Sequence, residues 1–466
     1  MQWLMLALTF VVMAVLQRLA RSAGGEAGPL EARATLALGF LTLAAYVAGT
    51  IAQRRRLPRI VGYLVAGLAA GPAWLGLVRA DELAALAPIS HGALSLIAFA
   101  VGSELTADVL RGDRRRVVAR IVGGAMAIPF AAVTLVVLTV SPWFPLTAHQ
   151  PFRDALAVAL ALGALATVSS PTLTWAVIND LDARGPLSRT TLDVTVVQDL
   201  VAVPLLIVIV ALALPIASDG AVTPGVATET LLLLGGSIVA GAALGLAAGQ
   251  YLRVIRGPLA WVLVILAFIA AQAVRLLGLD AVLLALAAGC ALRNTAPEHS
   301  ERVRAELKRC AIPVYVVFFA LAGSNLQLGV LADMWPWALL LAGLRVAGLW
   351  GGLRWARGGA GAGRDPAVGA DWVNYGWLAL ISQGGLAVTL AAVLRRAFPE
   401  WNVSLEALLV AMIGVHQLAG PICFHWVLRR TGEVTQVGGA HDRETPGTTE
   451  HPGTVVAGGS RLYERH

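Results

Sequence analysis

Residues 187–214 read LSRTTLDVTVVQDLVAVPLLIVIVALAL, an apolar stretch that carries Asp199 near its middle. A helix rising about 1.5 Å per residue needs about 20 apolar residues to cross the hydrocarbon of a bilayer. A carboxylate that deep costs roughly 2.5 to 3.5 kcal/mol on insertion scales, and such residues line ion or proton paths. Just upstream, the apolar run 152–178 is interrupted by Thr167-Val168-Ser169-Ser170-Pro171. Proline weakens a helix there, and the hydroxyls can satisfy the backbone groups that the break frees. A broken helix followed by an acidic one points to a carrier of small ions.

The rest of the chain agrees. Its 466 residues are 58% hydrophobic and 14% charged, and the mean hydropathy of +0.74 excludes an ordinary soluble domain. The formal net charge of +7 does not indicate nucleic acid, because the basic residues fall in short loops between apolar spans. Cys290, Cys310 and Cys423 are scattered, without disulfide or metal spacing.

Apolar spans are expected near 2–17, 34–52, 57–77, 85–105, 117–140, 152–178 and 188–214, then 228–250, 257–275, 278–292, 309–330, 334–354, 372–398 and 403–429. That is an all-α polytopic membrane protein of 13–14 helices. Residues 1–33 read as an extra, uncleaved N-terminal helix and loop, since the segment before the first apolar run has no basic side chain, with a signal peptide as the alternative. Arg54–Arg59, Arg111–Arg116, Arg184 and Arg189, Arg253 and Arg256, Arg293–Arg309 and Arg354–Arg364 alternate with loops free of Lys and Arg near 141–151, 215–227 and 331–334. The basic loops and the C-terminus are therefore expected in the cytoplasm, with the protein in the inner membrane. Arg18, Arg21 and Arg33 run against this pattern. Residues 431–466, rich in Gly, Thr, Glu and His, read as a disordered tail.

An internal repeat is visible. VGYLVAGLAAGP (61–72) resembles VLLALAAGCALR (282–293), and AVGSELTADVL (100–110) resembles LAGSNLQLGVL (321–331). Six spans over 34–214, one linker helix at 228–250 and six more over 257–429 form a membrane domain of 34–430 whose second half is inverted. Ser382-Gln383-Gly384-Gly385 places a second break in 372–398, matching the first. Two breaks meeting at the midplane bring half-helix dipole ends to one small polar site.

Gln198 can offer a carbonyl ligand to an ion at Asp199 without adding charge. Desolvation can bring a carboxylate toward the working pH, as a group alternating between proton and cation requires. Arg345 is the one basic residue near the centre of a second-half span, and a lone buried charge predicts a partner, with Asp199 the candidate and a lipid headgroup or carbonyls the alternative. Asp193 lies six residues earlier, about 240° round the helix, and reads as a cap or part of an entry funnel. His416 reads as a hydrogen-bonded packing residue with a second proton site as the alternative. Glu104 is expected in an interfacial ion pair, and Trp335, Trp337 and Trp372 as interface anchors.

These residues resemble the monovalent cation:proton antiporter superfamily, in its Kef-type and sodium/proton antiporter branch. The resemblance covers about 34–430 and rests on LPRIVGYLVAGLAAGP (57–72), ALATVSSPTLTWAVINDLDARGPLSRT (164–190), VVQDLVAVPLL (196–206), VVFFALAGSNLQL (316–328), LISQGGLAV (380–388) and GVHQLAGPICFHWVLRRTGE (414–433). It implies a sodium/proton antiporter-like fold and a homodimer with a dimerisation domain and a moving core. It implies that Asp199 is the ion-binding aspartate, that Thr167, Ser169 and Ser170 belong to one crossover, and that Ser382, Gln383 and Gly384 belong to the other. Arg345 stands where relatives carry Lys or Arg. Gln198 stands where two-acid relatives have a second carboxylate, which resembles the Kef-type arrangement, although no nucleotide-binding domain is expected after the membrane part.

The expected function is exchange of protons for Na⁺ or K⁺ bound at Asp199, electroneutral and elevator-like, serving pH homeostasis. No cofactor beyond the transported ions, no nucleic-acid partner and no enzymatic activity are expected; membrane lipid is the surrounding partner. The alternatives are a carrier for an organic anion on a similar scaffold, or a non-transporting membrane sensor.

Overall fold

The computed structural model describes residues 2–22, 30–106, 112–217, 224–254, 270, 274, 276–326, 328–357, 370–384, 387, 391, 394 and 402–434. They form helices α1 (Gln2–Ser22), α2 (Leu30–Arg54), α3 (Arg59–Ala70), α4 (Ala80–Gly102), α5 (Gly112–Thr139), α6 (Phe152–Ala166) and α7 (Pro171–Asp180). These are followed by α8 (Pro186–Ala217), α9 (Pro224–Val254), α10 (Ala281–Thr295), α11 (Pro297–Ser324), α12 (Leu328–Arg357), α13 (Ala370–Ala379) and α14 (Asn402–Arg430). No strand occurs among the described residues. Eight of their helical stretches are long and apolar enough to cross a membrane, with α6 and α7 counted as one. Helices satisfy their own backbone polar groups, which hydrocarbon demands.

The span expected at 57–77 is shorter than its apolar run. Helix α3 stops at Ala70, where Gly71 turns to extended backbone (φ −68°, ψ 173°) ahead of Pro72. Helix α10 is also short, started by Asp280, whose carboxylate accepts from Leu283 N at 2.8 Å, and stopped before Pro297. The expected span 257–275 falls almost wholly outside the described residues, as does the tail from 435 onward.

The helices pack in two groups. One contains α2, α3, α4, α9, α10 and α11, with α1 laid on α2 through Phe10 and Phe40, whose rings meet edge-on at 5.3 Å. The other contains α5, α6, α7, α8, α12, α13 and α14. Between the groups the packing is sparser, through α4 and α7, α8 and α9, and α3 with α7 and α14.

The repeat is visible as reciprocal close approaches in the first group. A Cβ on Gly102 of α4 would collide with the Leu286 carbonyl of α10, and one on Gly323 of α11 would collide with the Leu64 carbonyl of α3. Gly67 meets Ala320 and Ser324 in the same way that Gly289 meets Phe99 and Ser103. Each partner stands about 221 residues from its counterpart, the offset of the sequence repeat. Helix α3 begins at Arg59 whereas α10 ends near Arg293, so the equivalent helices point in opposite directions.

The basic ends lie on one face, tied together by side chains. Arg304 donates to Glu104 at 2.6 Å, which is the ion pair expected for Glu104, and Arg253 donates to the Thr295 carbonyl at 2.6 Å. Arg33, which runs against the charge pattern, is paired on the other face with Asp81 at 2.6 Å and Glu82 at 3.1 Å. Neutralised there, it sits at no conflict with the basic-loop rule.

One contact on the basic face spans most of the chain. After α14, Gly432 (φ +74°) turns the backbone so that the Glu433 carboxylate accepts from Leu187 N at 2.6 Å and Ser188 N at 2.8 Å. Glu433 thereby caps the helix that carries Asp199, an anion on the positive end of α8. Glu433→Ala is expected to cost about 1–2 kcal/mol of stability, with partial recovery in Glu433→Gln, because an amide oxygen still accepts. Thermal unfolding of the purified protein checks this; an unchanged melting temperature in the alanine variant would contradict it.

Candidate functional site

Both expected breaks are present. Helix α6 ends with Thr167 as its last αR residue, and α7 starts at Pro171 with Ser170 as N-cap, its hydroxyl accepting from Leu173 N at 3.2 Å. Proline at the first helical position loses no hydrogen bond, so the Ser-Pro pair restarts the helix cleanly. In the second half, α13 ends at Ala379 and the chain runs non-helically through Ile381 to Gly384.

The breaks touch. Ser170 N donates to the Ser382 carbonyl at 2.8 Å, and Ser169 Oγ donates to the Leu380 carbonyl at 2.9 Å. Gln383 Nε2 donates to the Leu165 carbonyl at 3.0 Å. Gly384 is required by the crossing, since a Cβ there would run into the Ser170 hydroxyl. The sequence signal for each break was a proline or glycine beside hydroxyls, and those residues make the contacts.

Arg345 is fully buried on α12, and among the described residues its guanidinium bonds carbonyls and a hydroxyl, with no ion pair to Asp199. It donates to the Ala166 carbonyl at 3.1 Å, the Val168 carbonyl at 2.7 Å, the Leu380 carbonyl at 3.1 Å and the Ile381 carbonyl at 2.8 Å, with Ser169 Oγ at 3.2 Å. This corrects the expected charge pair. The physical reason is that α6 and α13 both end here, and a helix C-terminus leaves carbonyls without intrahelical partners at a negative dipole end. A planar cation with five donors satisfies both ends at once, which no single carboxylate contact could do.

Asp199 and Gln198 lie in α8 against the first break, with Gln198 Nε2 donating to the Thr167 carbonyl at 3.4 Å. Asp199 is 1% exposed, and its Oδ1, like Gln198 Oε1 and Gln383 Oε1, has no hydrogen-bond partner among the described residues. Buried oxygens left without donors are unusual, and oxygens are what a desolvated cation or proton seeks. The crossing thus brings together Ser169, Ser170, Ser382, Gln383 and Gln198, and Asp199 stands next to Gln198 in the chain.

Two further candidates remain. His416 Nδ1 donates to the Met412 carbonyl of its own helix at 2.9 Å, its Nε2 has no hydrogen-bond partner among the described residues, and it is near enough to Arg345 to feel that charge. Asp193 is buried and engaged in an interaction of its own, on a different face of α8 from Asp199. Trp372 is not an interface anchor: it is 2% exposed, and its Nε1 donates to Thr191 Oγ1 at 3.1 Å, holding α13 to α8. Trp335 is half exposed, as an anchor would be.

A cavity of about 690 Å³ lies between the two helix groups. Ala87 and His91 of α4, Asp280, Asn325, Gly384 and Gln417 line it. Its lining draws on the N-terminal parts of α4 and α10 and the C-terminal end of α11, the helix ends remote from the basic loops. Its inner end is Gly384, in contact with the first break. Asp280 was not singled out from sequence; it is near enough to Asp199 to act on it through its charge.

A family model described as "Sodium/hydrogen exchanger, transmembrane" matches residues 39–429. Among solved structures, the sodium proton antiporter MjNhaP1 of Methanocaldococcus jannaschii at pH 8 superposes with a TM-score of 0.63, at 14% identity, over 87% of this chain and 99% of that one. A second structure of the same antiporter gives 0.62 at 16% identity, over 86% of this chain and 97% of that one. These similarities show the fold. "Iron transporter MagA" of Paramagnetospirillum magneticum is 30% identical over 174 residues, 36% of each chain. An uncharacterised protein of Methylorubrum extorquens is 36% identical over 104 residues, 22% of this chain and 33% of its own. The chain thus spans about a third of the length of the curated relatives it matches.

Proposed function

The chain belongs to the sodium/hydrogen exchanger family, and from that membership we propose that it exchanges protons for a monovalent cation, Na⁺ or K⁺. The reading is supported by the buried Asp199 carboxylate, whose Oδ1 lacks a donor and which follows Gln198 on α8, the residue that bonds the first of two broken helices. A proton on Asp199 neutralises it for one half-cycle. A cation held by the same carboxylate, with Gln198 and the hydroxyls of Thr167, Ser169, Ser170 and Ser382 nearby, does so for the other. Competition for one charge couples the two flows. The helix group carrying both breaks moves against the other by an elevator-like step, within a homodimer in the inner membrane whose basic loops and C-terminus face the cytoplasm. The physiological role is pH homeostasis.

An organic-anion carrier would need free positive charge at the centre. Arg345 is spent on carbonyls, so the crossing itself offers an anion little.

Monitoring ΔpH in everted vesicles while adding Na⁺, Li⁺ and K⁺ in turn tests the reading. Dissipation by at least one of them is expected, and silence with all three would defeat it. One carboxylate exchanging one proton for one monovalent cation moves no net charge, since Gln198 does not titrate and Arg345 keeps its proton. The exchange is therefore expected to be electroneutral in liposomes clamped at different potentials. Net movement of one charge would add about 2.3 kcal/mol per 100 mV to the driving force. A voltage-dependent end-point at fixed ion gradients would sink one-for-one exchange.

A further inference from the structure

The interface between the two helix groups is open at one face and pinned at the other. The cavity occupies the face opposite the basic loops. On the basic face, α7 of the group carrying the breaks is fastened to α3 and α11 of the other group. Arg59 N donates to Asp180 Oδ2 at 3.0 Å, and Arg59 Nε stands 3.6 Å from Asp180 Oδ1. The Asp180 carboxylate, 10% exposed, therefore caps the positive end of α3 from across the interface while also facing a guanidinium. Beside it, Asn179 Nδ2 donates to Tyr315 Oη at 3.4 Å, and the Tyr315 ring meets Trp175 edge-on at 5.9 Å.

These contacts differ in kind from those within each group. The first group is held by backbone on backbone, as at Gly102 and Gly323, where nothing can slide without collision. The contacts of α7 with α3 and α11 are made by side chains of α7, polar and aromatic. Polar side-chain contacts of this sort can be exchanged for water as a joint opens, because the net worth of a hydrogen bond is only about 0.5–1.5 kcal/mol. A joint of that type can open and close.

We propose that Asp180 with Arg59, and Asn179 with Tyr315, form a latch that shuts the basic-loop face while the cavity is open and that breaks whenever the site turns toward that face. The proposal rests on the exchange reading only in that the site must face each side in turn. It assigns to Asp180 and Arg59 a positioning role: they touch no ion, and they set which face Asp199 can reach.

The test reads conformation without transport. In protein whose Cys290, Cys310 and Cys423 are replaced by serine, Ala87→Cys reports the cavity through its reaction with a membrane-impermeant maleimide supplied on the cavity face. Asp180→Asn, and separately Arg59→Gln, are expected to slow that labelling by up to about fivefold, the scale of one net hydrogen bond. Arg59→Lys keeps charge and backbone N–H and is expected to stay near the unsubstituted rate. General loosening of the fold would speed labelling, so the sign separates a latch from a structural prop. Labelling that is unchanged or faster in both Asp180→Asn and Arg59→Gln overturns the proposal. Slowed labelling in a protein that shows no ΔpH response to any cation would keep the latch and sink the exchange reading; intact exchange with unslowed labelling would do the reverse.

Discussion

Asp199→Asn is expected to bring cation-dependent proton movement down to background while the protein still folds and inserts. The substitution changes almost no volume, and the position is buried with one oxygen already lacking a donor. Removing the charge removes a burial cost, so stability should hold or rise. Loss of exchange with a preserved melting temperature therefore isolates the chemistry from the fold. Exchange at the unsubstituted rate in reconstituted vesicles would move the ion site away from Asp199.

Arg345→Ala is expected to do the opposite, undoing the fold first. Four carbonyls from two helix ends lose a shared donor, at about 1–3 kcal/mol for each buried group left unsatisfied, and a large side chain leaves a void. The combined loss should exceed about 4 kcal/mol, enough to unfold most domains of marginal stability. Arg345→Lys should recover only part, because one ammonium cannot reach both ends. Yield of monodisperse protein and its thermal unfolding measure this. Since Arg345 and Asp199 make no contact, a double-mutant cycle built on Arg345→Lys and Asp199→Asn should be additive within about 0.5 kcal/mol. A coupling well above that would reinstate a charge pair between them.

The same two residues show what the sequence could carry. Asp199 and the breaks at Thr167–Pro171 and Ser382–Gly384 were legible because polar groups and helix breakers are conspicuous in hydrocarbon. Glu104 was legible because basic side chains crowd its loop. For Arg345 carbonyls were only the alternative to Asp199, because a backbone carbonyl has no letter in the sequence and only the meeting of α6 and α13 exposes those acceptors. Trp372 was misassigned for a related reason: an aromatic at a membrane interface and one hydrogen-bonded in a core share the same composition. Asp180 and Glu433 act on helix ends far along the chain, 121 residues away for Asp180 and 246 for Glu433. No local pattern announces a cap supplied from that distance.

The reciprocal glycines have a bearing on how the two halves can diverge. At Gly102 and Gly323, and at Gly67 and Gly289, each half rests on a carbonyl or amide of the other. A methyl group gained by one half pushes the other half's backbone, so a change on one side has no local remedy. The seam behaves as a shared mould in which both castings must keep their shape. Away from it no such constraint applies, and the halves have drifted: α8 carries a carboxylate at its centre, while α14 carries His416 bonded to its own helix. A duplicated chain can thus specialise one copy for ions only because the other inherits the same unyielding seam, so swapping either glycine pair for alanine should be tolerated worse than many changes beside the site.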